Sequence, residues 1–207
     1  MSNSAQSRRD VGLVFLGASQ VAGVGDPKAL GWVGRVVARS QSPDIVLTTY
    51  NLGVRGATSA DSLDRFRAET PARFDGRAER RLVVSLGTED IAAGVSIARH
   101  RLNLATILDD AASVGLSAFG VGPAPAGSGE QLNGAIEAFA EAEADVCGRR
   151  GVPFVDCYRP LVEHEQWVAD LAVSPIPGHP LQAGYGLIAW LVLNNGWREW
   201  LDIAGDQ

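Results

Sequence analysis

The sequence predicts an α/β protein, a three-layer α/β/α sandwich around a parallel sheet of roughly five strands. Three observations predict it. Short apolar runs alternate with longer stretches of helical period. The runs are rich in Val, Ile, Leu or Phe, as suits strands buried on both faces. Gly, Pro or Asn closes each run, and connections of this length require right-handed crossovers between parallel strands.

The first run, Val11–Leu16, follows Arg8–Arg9 and leads straight into a Gly-rich turn. A secretory signal would need a longer apolar stretch and a small-residue cleavage site, so the run is read as strand one and the protein as cytoplasmic. The next strands are expected at Ile45–Leu47 with its neighbours, Leu82–Leu86, Leu116–Val121 and Val152–Val155. Between them, Leu104, Leu108, Ala111 and Val114 share a helical face, with Asn103 as its expected N-cap. In Gln131–Cys147 the apolar face is Leu132, Ile136, Phe139 and Val146, and Glu137, Glu141 and Asp145 fall elsewhere. Gly184–Leu193 is apolar nearly all round, as for a helix packed on the sheet, and Gly120–Gly129 reads as a loop. Trp197 and Trp200 fit packing of a last helix on the core better than an interface. No repeat or linker divides the chain, which is expected to form a single domain over residues 1–207 with its core at about 11–195.

The bulk numbers exclude several classes. With 46% apolar and 20% charged residues in 207, the chain can bury a large core and is not expected to be disordered. A net charge of −6 argues against a nucleic-acid partner. The short cluster Arg77, Arg80 and Arg81 reads as a solvated loop. Cys147 and Cys157 read as reduced thiols. The longest apolar helix segment, Leu187–Leu193, is far short of the ~20 residues that span a bilayer. His164 has no histidine partner at i+4, and no metal is expected. No organic cofactor is expected either. Both His100 and His164 read as structural or exposed.

In parallel sheets, ligands bind beyond the carboxyl ends of the strands. The first such end reads Gly17-Ala18-Ser19-Gln20-Val21-Ala22-Gly23-Val24-Gly25-Asp26. A phosphate-binding P-loop would need Lys where Val24 stands, and a dinucleotide fingerprint would need Gly where Lys28 stands. A Gly-x-Ser-x-Gly elbow would need Gly in place of Val21. What remains is a serine at the top of a sheet, with glycines that let backbone approach closely.

Four blocks in order carry a resemblance to a known family. They are Gly17-Ala18-Ser19-Gln20, then Asn51-Leu52-Gly53-Val54-Arg55-Gly56, then Gly87-Thr88-Glu89-Asp90, and last His179-Pro180 followed by Gly184-Tyr185. The chain resembles the GDSL, or SGNH, hydrolases across roughly residues 11–190. The resemblance implies a flavodoxin-like α/β fold and a serine esterase. It implies Ser19 as nucleophile, His179 as base, and an oxyanion hole from the backbone N–H groups of Ser19 and Gly53 with a side-chain donor at position 89.

The chain departs from the pattern at four positions, with Ala18 for aspartate, Gln20 for leucine, Glu89 for the oxyanion-binding asparagine, and Ile176 for the aspartate that orients the histidine. An ionised carboxylate accepts hydrogen bonds and repels a developing oxyanion, whereas a protonated one could donate. In place of the missing aspartate, a backbone carbonyl, Asp170 or Ser174 could orient His179. The expected partner is a small-molecule acyl ester or thioester. Two alternatives stand beside hydrolysis: acyl transfer through the same acyl-enzyme, and a degenerate fold that only binds a ligand.

Overall fold

The structure, a computed structural model, describes residues 8–127 and 129–203. Five strands, β1 (Arg9–Gly17), β2 (Ile45–Gly53), β3 (Glu79–Ser85), β4 (Ser117–Val121) and β5 (Phe154–Val155), pair in parallel in the order β2-β1-β3-β4-β5. The helices are α1 (Ser19–Ala22), α2 (Gly31–Ala38), α3 (Ser59–Phe74), α4 (Thr88–Ala92), α5 (Ile97–Ser113), α6 (Glu130–Gly148), α7 (Glu165–Ala172), α8 (Gln182–Asn194) and α9 (Trp197–Leu201). The expected α/β architecture is the one observed.

Strand β1 shows why both faces are covered. Side chains alternate along a strand, so Val11, Leu13 and Phe15 point into one core and Val14 and Leu16 into the other. The first core is closed by α2, α7, α8 and α9, through residues such as Trp32, Trp167, Ile188 and Trp197. The second is closed by α3, α5 and α6, through Phe66, Phe74, Ile107 and Val146. Cys147 and Cys157 are buried and unbridged, and burial pushes both thiols up from their ordinary pKa.

Three local readings need correction. Helix α5 begins at Ile97, not at Asn103, because the Ser96 hydroxyl accepts from the Arg99 N–H at 3.3 Å and caps it there. Asn103 is instead buried inside α5 and donates to Ser59 Oγ at 2.8 Å. Arg80 and Arg81 lie in β3 rather than a loop, and Arg77 pairs with Asp10 at 2.9 Å. The segment 120–125 is buried, so the first part of the Gly120–Gly129 loop is part of the packed structure; Ser128 lies outside the described residues.

Trp197 and Trp200 close the first core, as the packing reading expected. Trp197 stacks on Phe15 at 6.1 Å, meets Phe119 edge-on at 5.4 Å, and donates its indole N–H to Ser40 Oγ at 2.8 Å. Arg81 covers Trp200 with its guanidinium 5.4 Å from the ring. Among the described residues no helix is long and apolar enough to cross a membrane. Replacing Trp197 by Ala is expected to cost about 3–5 kcal/mol in a urea titration. A cost under about 1 kcal/mol would mean that α9 is not part of the cooperative core.

Candidate active site

The strand order reverses around β1, which sits between β2 and β3 although it comes first in the chain. Such a switch point leaves a crevice at the carboxyl ends. The three strand ends are level there: Gly17 lies opposite Gly53 on one side and Ser85 on the other. Two of these positions demand glycine by close approach. A Cβ on Gly17 would lie 2.1 Å from the Ser85 carbonyl oxygen, and one on Gly53 would lie 2.3 Å from the Ala22 nitrogen.

The chain leaves β1 through Ala18 and turns at once into the single turn of α1, which begins at Ser19. Ser19 is buried. Its hydroxyl oxygen accepts from the Gly56 N–H at 3.3 Å, and its own N–H donates to Glu89 Oε1 at 3.0 Å. The Thr88 hydroxyl donates to the other carboxylate oxygen at 3.2 Å. Glu89 thus reaches the serine and places a carboxylate oxygen on its backbone donor. The N–H of Gly53 is engaged elsewhere, donating at 2.8 Å to Asn51 Oδ1. Asn51 in turn donates from Nδ2 to the Val21 carbonyl at 2.7 Å and ties the end of β2 to α1.

His179 comes from the connection between α7 and α8. Its Nδ1 faces the Pro177 carbonyl at 3.0 Å. A carbonyl only accepts, so Nδ1 carries the proton in this contact and Nε2 is the nitrogen left for the cleft. Ser174 shapes the same connection, with its hydroxyl 3.2 Å from the Ile176 carbonyl and 3.3 Å from the Ile176 N–H. Asp170 supports the following helix rather than the imidazole. Its Oδ2 accepts from Leu181 at 2.7 Å and Gly184 at 2.8 Å, satisfying two donors at the start of α8. The first turn and this connection also touch directly. Tyr185 donates to the Val24 carbonyl at 2.7 Å, and a Cβ on Gly25 would lie 3.0 Å from the Pro180 carbonyl and 3.4 Å from His179 Cβ.

Ser19, Glu89 and His179 line one open cleft of about 430 Å³, walled by Ile91, Ala124, Leu132, Ile136 and neighbouring apolar residues. Among the described residues no hydrogen bond joins Ser19 to His179.

Behind the cleft lies a charged group that sequence reasoning missed. His100, buried in α5, faces Asp90 Oδ2 with Nδ1 at 2.7 Å and Glu143 Oε1 with Nε2 at 3.0 Å. Burial works against charge on the ring, but the hydrogen bonds and charges of the two acids prevail and raise its pKa from 6.5 to about 9. Burial pushes Glu143 up, whereas His100 and Ser59 hold Asp90 low despite its burial. His164, by contrast, is the exposed residue before α7.

Asp170→Ala leaves two helix-start donors unpaired. It is expected to lower stability by about 1–3 kcal/mol in chemical denaturation. An unchanged midpoint would remove Asp170 from the account of how the His179 connection is held.

Comparison with known proteins agrees with this geometry. Residues 15–187 match the GDSL-like lipase/acylhydrolase family. No curated protein matches by sequence. Among solved structures, a catalytic mutant of Axe2, an acetylxylan esterase from Geobacillus stearothermophilus, superposes with TM-score 0.75 at 16% identity, over 97% of this chain and 100% of that one. A lipase/acylhydrolase from Enterococcus faecalis gives 0.70 at 20% identity, over 96% and 99%. The esterase EstA from a Pseudoalteromonas species, in a form inhibited by monoethylphosphonate, gives 0.69 at 16%, over 92% and 98%. The family match covers most of the chain and the sheet has the architecture of these neighbours, so the protein belongs to the GDSL-like lipase/acylhydrolase family and is a hydrolase of ester bonds.

Proposed function

We propose that the protein hydrolyses a small acyl ester or thioester through an acyl-enzyme on Ser19, with His179 as general base. The observation that carries this reading is that Ser19 and His179 line one cleft at the switch point while the Ser19 N–H holds a carboxylate oxygen at 3.0 Å. A donor that binds a carboxylate oxygen there can bind the oxyanion of a tetrahedral intermediate.

In this reading His179 Nε2 takes the Ser19 hydroxyl proton as Oγ attacks the ester carbonyl. The Pro177 carbonyl does the orienting work, holding the ring by Nδ1–H at 3.0 Å where the family pattern has an aspartate and this chain has Ile176. A carbonyl fixes the tautomer but carries no full charge, so it stabilises the imidazolium less than a carboxylate would. The alcohol or thiol leaves with the proton from Nε2. Water, deprotonated by the same nitrogen, then releases the acid and restores Ser19. The developing oxyanion takes the Ser19 N–H in place of Glu89, whose carboxylate moves off that donor. Gly53 joins the hole once Asn51 Oδ1 gives up its N–H.

The apolar wall of Ile91, Leu132 and Ile136 supports an acyl group as the substrate part bound in the cleft. Two buried, unbridged cysteines support a reducing, cytoplasmic location. The one continuous sheet supports a single catalytic domain. The covered Ser19 N–H is the observation that favours a ligand-binding protein instead, and the assay separates the two.

Purified protein is to be assayed on short- and medium-chain p-nitrophenyl esters beside two variants. Ser19→Ala should lower kcat by about 10³-fold or more. Equal slow turnover by both proteins would reject catalysis of these esters. Glu89→Asn should raise kcat, by as much as about 10²-fold if it restores a full oxyanion donor. A fall would assign Glu89 a positive role in the reaction.

A further inference from the structure

One buried charged group adjoins the site without touching the cleft. Both carboxylate oxygens of Asp90 are engaged: Oδ2 faces His100, and Oδ1 accepts from the Ser59 N–H at 2.7 Å. Asp90 follows Glu89 in α4, and Ser59 opens α3 three residues after Gly56. The Ser59 hydroxyl accepts from Asn103 on α5, the helix that also carries His100, at 2.8 Å. The far nitrogen of His100 reaches Glu143 on α6, and its ring lies 4.8 Å from that of Phe139. The imidazole therefore links α5 to α4 and α6, and Asp90 and Asn103 extend the link to the start of α3. Two of these helices, α3 and α4, begin beside the Gly56 N–H and the Glu89 carboxylate that contact Ser19.

The entry to α4 has little freedom to compensate. Gly87, at φ 144°, packs so tightly that a Cβ there would lie 2.7 Å from Pro123 and 3.7 Å from Glu143 Oε1. Asp90 is held from two sides, by the Ser59 N–H at the start of α3 and by His100 from α5, and if His100 lets go the carboxylate keeps only the Ser59 contact.

We propose that Asp90, His100 and Glu143 are positioning residues for the ester-cleaving reaction, fixing α4 against the start of α3 and with them the groups around Ser19. The proposal rests on Ser19 being the nucleophile. Each ring nitrogen of His100 faces a carboxyl oxygen, so the line needs one proton on Nδ1 toward Asp90 and a second between Nε2 and Glu143. The titratable groups facing His100 are Asp90 from α4 and Glu143 from α6. Asp90 acts in turn on Asp61 of α3, and Glu143 on Cys147 and Cys157.

The sign follows from the raised pKa. The contribution of the His100 charge to the folded state is complete below 6.5, the value for the free side chain, and is lost as pH rises through about 9. Activity should follow it down.

The test is kcat and KM against pH, per folded molecule, for the wild type, Glu143→Gln, His100→Gln and Ser19→Ala. The wild type is expected to lose kcat on an alkaline limb centred near pH 9 with KM nearly unchanged. Glu143→Gln removes one of the two acids that keep the proton on His100, so its limb should move down by a pH unit or more. His100→Gln should show kcat lowered tenfold or more, KM within twofold, and no limb near pH 9. If that variant does not fold, Glu143→Gln decides alone. A wild-type kcat flat to pH 10, or a Glu143→Gln limb at the wild-type position, overturns the proposal. Turnover retained by Ser19→Ala removes the nucleophile while leaving the limb shift readable, so the two failures are told apart.

Discussion

The chain enters the sheet at its middle strand, leaves β1 toward β2 on one side, and returns to build β3, β4 and β5 on the other. The crossovers therefore diverge above β1, and the first turn of the chain is left at the floor of a crevice. Its floor is tight because Gly17, Gly53 and Ser85 stand level at the three strand ends. Backbone from α1 packs against β2 where any side chain on Gly53 would collide. The serine is placed by this geometry: Ser19 opens α1 two residues after β1 ends, and it lines the crevice with Glu89 and His179.

The histidine reaches the same place by a longer route. Helix α8 is apolar nearly all round and packs in the first core, with Tyr185, Ile188, Ala189 and Val192 buried. Asp170 and Tyr185 then fix where that helix begins, and His179 precedes it by three residues. The electrostatics at Ser19 oppose what the placement favours. A carboxylate on the Ser19 N–H is a good mimic of an oxyanion and a competitor for it. In the proposed reaction, substrate displaces a charge-assisted hydrogen bond before the donor is available, and such bonds are stronger than neutral ones. The two departures from the family pattern thus have different characters. Pro177 supplies an acceptor where the aspartate is missing, whereas Glu89 occupies the donor that the reaction needs.

Much of the fold was legible in the apolar runs, because a strand buried on both faces must be apolar at nearly every position, as Val11–Leu16 is. The strand order was not, since periodicity says nothing about which strands are neighbours. The start of α5 was misplaced because Ile97–Leu102 carries Arg99, His100 and Arg101, which hide the helical face that Leu104 and Leu108 show. His100 itself was unreadable for the same reason, and its partners sit ten and 43 residues away on two other helices. The Pro177 carbonyl left no trace at all, because any residue supplies a carbonyl. Glu89 was legible as a chemical conflict, but only coordinates show that its oxygen rests on the Ser19 N–H.

The central claim is that Ser19 carries the acyl group and that its N–H receives the oxyanion now imitated by Glu89. A crystal structure of the protein after reaction with an ethyl p-nitrophenyl phosphonate, which loses p-nitrophenolate as the phosphorus–Oγ bond forms, tests both parts together. The account predicts phosphorus bonded to Ser19 Oγ, a phosphonyl oxygen about 3 Å from the Ser19 nitrogen, and the Glu89 carboxylate moved off that donor. Phosphorus on another residue, or on Ser19 with Glu89 still holding the N–H, would contradict it.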